Sequence, residues 1–133
     1  MVTEDNAGIC PIELAMQMIN RKWVVQLLRD MFFGKTRFNE FKEDKPGLSN
    51  KVLSHCLKDM EENQLIKRHE LDDTIEYRLT ERGLALNRVL YELAMFTLTS
   101  DLAGEYYSDE KINELKIIFN GIFLKEEGQE FFD

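Results

Sequence analysis

At Leu65 the hydrophobic period of this 133-residue chain changes. Before that point apolar side chains recur every three or four residues, the spacing of amphipathic helices. Beyond it Ile75, Tyr77 and Leu79 alternate with Glu76 and Arg78, the pattern of a strand buried on one side. Two short strands fit residues 66–71 and 75–79, with Asp72-Asp73-Thr74 as the turn between them. Helical spacing then resumes toward the C-terminus. Few folds accept four helices, a hairpin and two further helices in that order. Three compact helices followed by a hairpin is the winged helix-turn-helix arrangement. The predicted class is therefore mainly α (α+β), a winged helix-turn-helix with a two-stranded β wing and terminal helices forming a dimer interface.

Local signals punctuate the helices. Pro11 suits a first helical turn, where its missing N–H would be unpaired anyway, and Ile12, Ala15, Met16 and Ile19 follow at helical spacing. A second helix is expected over about 22–33, with Trp23, Leu27, Leu28, Met31 and Phe32 apolar and Gly34 as its stop. Thr36 can cap a short third helix in which Phe38 and Phe41 face inward and Asn39, Glu40 and Lys42 face water, before Pro46-Gly47 breaks the chain. Ser49 is placed to cap a fourth helix over about 50–63, whose stripe is Val52, Leu53, Cys56, Leu57 and Met60. After the hairpin, Thr80-Glu81-Arg82-Gly83 opens a long helix to about Thr99 with the apolar stripe Leu86, Val89, Leu90, Leu93 and Phe96, and a last helix over about 109–123 presents Ile112, Leu115, Ile118, Phe119 and Ile122. No repeat of 20–50 residues marks an array.

Composition narrows the class further. Hydrophobic residues make up 44% and charged residues 32%, a globular balance rather than a disordered one. No apolar run reaches membrane-spanning length, and residues 1–10 lack a basic-then-apolar leader, so a cytoplasmic protein is expected. Two cysteines and two histidines without close pairing predict no metal site, and no cofactor is expected. There is no phosphate-cradling glycine motif and no nucleophile–His–acid set, and adjacent Glu61-Glu62 diverge on a helix, so an enzyme is not expected. The formal net charge of −8 argues against nucleic acid at first sight. Residues 1–20 carry −3, residues 21–82 carry +1, and residues 83–133 carry −6. The central segment thus holds most of the positive charge, and any affinity for nucleic acid must come from geometry and dimerisation more than from bulk attraction.

In a helix-turn-helix the second helix of the motif enters the major groove, and its N-terminal residues reach base edges. Here that helix backs onto the core and offers Ser49, Asn50, Lys51, Ser54, His55 and Lys58 outward. Asn50 can read adenine and Lys51 guanine; Ser54 and His55 suit bases or phosphates; Lys58, one turn on, suits a phosphate. Lys35 and Arg37 at the short third helix are phosphate anchors, and Lys67, Arg68 and Arg78 are the wing's cations, although Asp72-Asp73 at its tip repels phosphate. The same outer face also fits an ordinary solvated helix. A winged helix serving as a protein-interaction module is the rival function, and a pI near 4.8 gives it weight.

The run Cys10-Pro11-Ile12-Glu13, then Asn20-Arg21-Lys22-Trp23, resembles the opening of the HxlR-type branch of winged-helix regulators. The likeness continues through Gly34-Lys35-Thr36-Arg37-Phe38-Asn39-Glu40 and Gly47-Leu48-Ser49-Asn50-Lys51-Val52-Leu53-Ser54. It extends to Leu57-Lys58-Asp59-Met60-Glu61, Leu65-Ile66 and Glu76-Tyr77-Arg78-Leu79-Thr80-Glu81-Arg82-Gly83, so it spans about residues 10–98. The resemblance implies a homodimeric bacterial or archaeal regulator, related to the MarR group, that binds double-stranded DNA at pseudo-palindromic operators through terminal-helix pairing. The wing departs from the family pattern, lacking the proline and extra bases common at its tip.

Three expectations complete the reading. The chain divides into an arm at 1–9, a DNA-binding domain at 10–99, and a dimerisation helix with an acidic tail at 100–133. The dimer interface is expected at Ile112, Leu115, Ile118, Phe119 and Ile122, since an unburied stripe would leave a large apolar patch; the alternative is that this helix folds back on its own domain. The effector is an oxidant or a small molecule. Cys10, at a helix N-terminus that favours a thiolate, matches the cysteine through which some relatives sense oxidants or electrophiles. The alternatives are an inert Cys10 and a ligand pocket near Trp23, Phe32, Tyr91 and Phe96, residues that equally suit a core.

Overall fold

Among the described residues eight helices and one hairpin follow one another in the order α1 (Pro11–Ile19), α2 (Val24–Phe32), α3 (Phe38–Lys42), α4 (Asn50–Glu62), β1 (Ile66–Leu71), β2 (Thr74–Leu79), α5 (Glu81–Leu84), α6 (Asn87–Leu98), α7 (Ala103–Tyr106) and α8 (Asp109–Phe123). These come from a computed structural model that describes residues 8–124; most of the predicted arm and the acidic tail with Phe131-Phe132 lie outside the described residues. The fold is the expected winged helix-turn-helix. Among the described residues no helix is long and apolar enough to cross a membrane.

The core forms where α2, α3, α4 and the wing's root converge. Leu27, Leu28 and Met31 of α2 meet Phe41 of α3, Leu53, Leu57 and Met60 of α4, and Leu65, Ile66 and Leu79 at the base of the hairpin. The strands pair antiparallel from Ile66 opposite Leu79 to Leu71 opposite Thr74, so a two-residue turn at Asp72-Asp73 joins them. Thr74 belongs to the second strand rather than to the turn. At the wing's root the Tyr77 N–H donates to the Thr36 carbonyl at 2.8 Å, and the Tyr77 ring meets Phe41 edge-on at 6.4 Å. Thr36 therefore accepts a backbone bond from the wing instead of capping α3. The cap comes from Glu40, whose carboxylate accepts from the N–H groups of Thr36 and Arg37 at 3.0 and 2.9 Å.

Three helical expectations need correction. The long helix after the wing is two, α5 and α6: the Leu86 N–H bonds the Gly83 carbonyl three residues back, and that tight turn ends α5. The stripe expected along it points outward at Val89, Leu93 and Phe96, whereas Leu90 is buried. Helix α1 starts at Pro11 as expected but buries no residue; Ile12 is 73% exposed.

The last helix folds back on its own chain. Helix α8 lies against α6; Phe123 is buried edge-on to Phe32 at 5.2 Å and stacks beside Phe119 at 5.8 Å. Asn87 Nδ2 donates to the Phe123 carbonyl at 2.7 Å and closes the C-terminal turn. Of the stripe expected on α8, Ile112, Leu115, Phe119 and Ile122 are half-buried and Ile118 is exposed.

Candidate nucleic-acid interface

Helix α4 is held from both ends and behind. The Val52 N–H donates to Ser49 Oγ at 3.1 Å, which fixes where the helix starts. Leu53, Cys56, Leu57 and Met60 are all buried, at the spacing of one helical face. Burial pushes the Cys56 thiol pKa up, and its sulfur lies 3.7 Å from the Lys22 carbonyl oxygen. At the far end Arg21, between α1 and α2, pairs with Asp59. The Pro46-Gly47 turn that precedes α4 rests on the Trp23 ring: a Cβ added to Gly47 would be 3.7 Å from Trp23 Cζ2. Trp23 adopts φ 84°, an uncommon left-handed conformation for so bulky a residue, and Lys22 Nζ sits 5.1 Å from the centre of its ring.

With its back fixed, α4 leaves Asn50, Lys51, Ser54, His55 and Lys58 exposed on its other side. Their neighbours differ. Asn50 Oδ1 accepts from Lys42 Nζ, so Lys42 is half-buried at this edge rather than facing water alone. Lys51, Ser54, His55 and Lys58 have no side-chain partner among the described residues. Ser49 Oγ is committed to the cap. Val52, expected in the apolar stripe, is 41% exposed beside Lys51. The four buried positions complete a face without it, and helical geometry turns it about 100° from Leu53. An exposed valine methyl there suits a thymine methyl, a match its place in the apolar stripe had hidden.

The third helix and the wing present fewer free charges than the sequence offers. Arg37 is exposed at the start of α3. Lys35 is mostly covered and lies 3.8 Å from Glu43 and 3.9 Å from Asp44. On the wing Arg68 pairs with Glu70 at 3.1 Å and Arg78 with Glu76 at 2.9 Å, each within its own strand. The Tyr77 hydroxyl opposite Arg68 pushes that guanidinium's pKa up, and Glu70 adds to the effect. Lys67 is the wing cation without an ion pair among the described residues. Two carboxyls beside the motif are held below their ordinary range. For Glu40 the chief cause is the N–H of Thr36, then that of Arg37; for Asp44 it is the bond from Lys45.

The four aromatics considered for a ligand pocket do not come together. Phe32 is in the core, Trp23 lies under the Gly47 turn, Tyr91 is half-buried and Phe96 is 70% exposed. An open apolar cleft of about 220 Å³ lies elsewhere, between α2, α6 and α8, lined by Val25, Leu90, Leu93, Phe119 and Phe123 with Gln26 and Arg29 at its polar side.

A capped helix with a polar outer face, set between a short helix and a hairpin, defines a winged helix-turn-helix DNA-binding module. The chain matches the HxlR-like helix-turn-helix family over residues 18–102, and it belongs to that family of transcription regulators. An HTH-type transcriptional regulator of Synechocystis is 35% identical over 100 residues, 73% of each chain. Among solved structures, the oxidized form of the redox regulator HypR superposes with a TM-score of 0.63 at 29% identity, covering 68% of this chain and 97% of that one. Quinone-bound YodB from Bacillus subtilis gives 0.60 at 32% identity, covering 69% of this chain and all of that one.

Proposed function

We propose that the protein acts in the cytoplasm, without catalysis, as a homodimer that reads a pseudo-palindromic operator with α4. The observation that carries this reading is the exposed row of Asn50, Lys51, Ser54, His55 and Lys58 on a helix whose opposite face is buried. Lys51 and His55, one turn apart, face the groove floor; Arg37, Lys58 and Lys67 meet phosphates. Asn50 reads a base by exchanging its Lys42 contact for an adenine edge, which frees the Lys42 ammonium for the neighbouring backbone. Dimerisation draws on apolar side chains that the protomer leaves outside, among them Val89, Leu93 and Phe96 on α6 and Ile117 and Ile118 on α8. Ile112, Leu115, Phe119 and Ile122 of α8 are half-buried within the protomer and contribute less to that surface.

Selection from a pool of random-sequence duplexes tests the reading. Expected is a two-fold site with half-sites about one DNA turn, ~34 Å, apart. Lys51→Ala and His55→Ala lower preference for that site over random duplex, whereas Lys58→Ala weakens both alike and flattens the salt dependence by about one unit. Failure to enrich any sequence from a folded dimer refutes operator reading.

The effector proposed is an oxidant acting at Cys10. This thiol is exposed at the N-cap of α1, and the likeness to a redox regulator supports a sensing role. In the proposed step a Cys10 thiolate attacks a peroxide oxygen, breaking the O–O bond to give a sulfenic acid and hydroxide, which takes a proton from solvent and leaves as water. The Cys10 thiol of the second copy then displaces hydroxide from that sulfur, giving a disulfide and a second water. The bond changes the spacing of the two α4 helices. Cys10→Ser is expected to abolish any response of DNA binding to peroxide; a response that survives the substitution excludes this sensor.

A further inference from the structure

Asp30 and Lys45 are the charged residues buried among the described residues. Asp30 lies in the last turn of α2, and Lys45 lies in the turn between α3 and α4. The ammonium of Lys45, with 1% of its side chain exposed, donates to the Asp30 carboxylate, to the Phe41 carbonyl at 2.8 Å and to Asp44 at 2.9 Å. All three of its donors thus have partners. On the other side Asp30 Oδ1 accepts from Arg29 Nε and Nη2 at 3.2 and 3.0 Å. The Asp30 carbonyl accepts from the N–H groups of Phe33 and Lys35 at 3.1 and 3.0 Å, which ends α2 and starts the path to α3.

A buried ion pair is a poor source of stability, because desolvating both ions offsets most of their attraction, and apolar groups of similar volume serve as well or better. Its distinguishing property is direction: an ammonium bonded to three oxygens sits in one place. From Lys45 the chain has little freedom before the reading face begins. The Leu48 N–H bonds the Lys45 carbonyl at 2.9 Å, Gly47 rests on Trp23, and Ser49 caps α4. We infer that the Asp30–Lys45 pair is a positioning clamp that fixes the entry of α4, and with it the placement of Asn50 and Lys51 on DNA. The inference rests on the operator-reading function proposed above. It assigns specificity to two residues that touch no base.

The test replaces both partners with apolar ones, Asp30→Leu with Lys45→Met. Affinities for the selected site and for random duplex are measured at one salt concentration, beside urea unfolding. Expected is a folded variant with a midpoint near that of the wild type and random-duplex affinity within about twofold, because no exposed cation is removed and the net charge is kept. Preference for the selected site falls at least about tenfold, as when one good base contact is lost. A folded variant that keeps its preference within twofold overturns the clamp. If the double variant does not fold, Asp30→Asn, which keeps the shape and one acceptor, carries the same prediction. Amide exchange without DNA gives a second readout on either variant. Exchange at Leu48, Val52 and Leu53 is expected to quicken at least tenfold while Leu27 and Leu28 hold, and uniform acceleration or no change counts against positioning. Loosening at Leu48 in a protein whose wild type selects no DNA sequence leaves the clamp standing and removes the operator reading.

Discussion

Gly83 sits where the chain leaves the wing and turns beneath it. An added Cβ would overlap the Leu65 carbonyl oxygen and meet Leu79 Cδ2 at 3.0 Å. That carbonyl accepts from the Thr80 N–H at 3.0 Å at the hairpin's root, so it cannot retreat without releasing the wing. Gly83→Ala is expected to destabilise the fold by about 1–3 kcal/mol, the usual range for overpacking, read as a lower urea midpoint; an unchanged midpoint would show that the wing's root gives way freely. Residues whose role is local were legible in the sequence: Ser49 and Thr80 as caps and Pro11 as a first-turn residue each answer to their immediate neighbours. Lys42, Lys45 and Trp23 were not. Their partners, Asn50, Asp30 and Gly47, are 8, 15 and 24 positions away, and nothing in local periodicity brings such pairs together.

At the scale of elements the wing shows how charge on a strand can cancel itself. Residues two apart share a face of a strand, so Glu70 lies beside Arg68 and Glu76 beside Arg78. Each arginine has a carboxylate beside it that offsets its charge toward a phosphate, and the Asp72-Asp73 turn adds further negative charge at the tip. Lys67→Ala is therefore expected to weaken DNA binding and lower its salt dependence by about one unit, while Arg68→Ala and Arg78→Ala change both by less than half as much. Equal losses at all three would mean that the strand pairs dissolve on DNA. Helix boundaries with a cap were readable to within a residue or two, as for α4 and α8. The split between α5 and α6 was not, because the hydrophobic pattern runs through Ala85 and Leu86, and Gly83 falls in the opening turn of the helix rather than at a break. The outward set of Val89, Leu93 and Phe96 also follows helical spacing, and spacing alone does not distinguish a side that meets its own domain from one that meets another molecule.

For the whole molecule the question is what covers that outward set. Leu93→Glu with Phe96→Glu places two charges in the proposed interface while leaving buried Leu90 in place. The expected result is a monomer in sedimentation across a concentration series, with α-helical content retained and affinity for a two-fold site reduced toward that for a single half-site. A variant that stays dimeric moves the interface elsewhere, with the exposed side chains of α1 as the next surface to test. The family match ends at residue 102, yet Phe123 closes the same core as Phe32 and Leu90. Peeling α8 away would uncover Phe32, two residues from the carboxylate that anchors Lys45. The segment beyond the shared domain thus covers the end of α2, the same helix end from which Asp30 reaches Lys45.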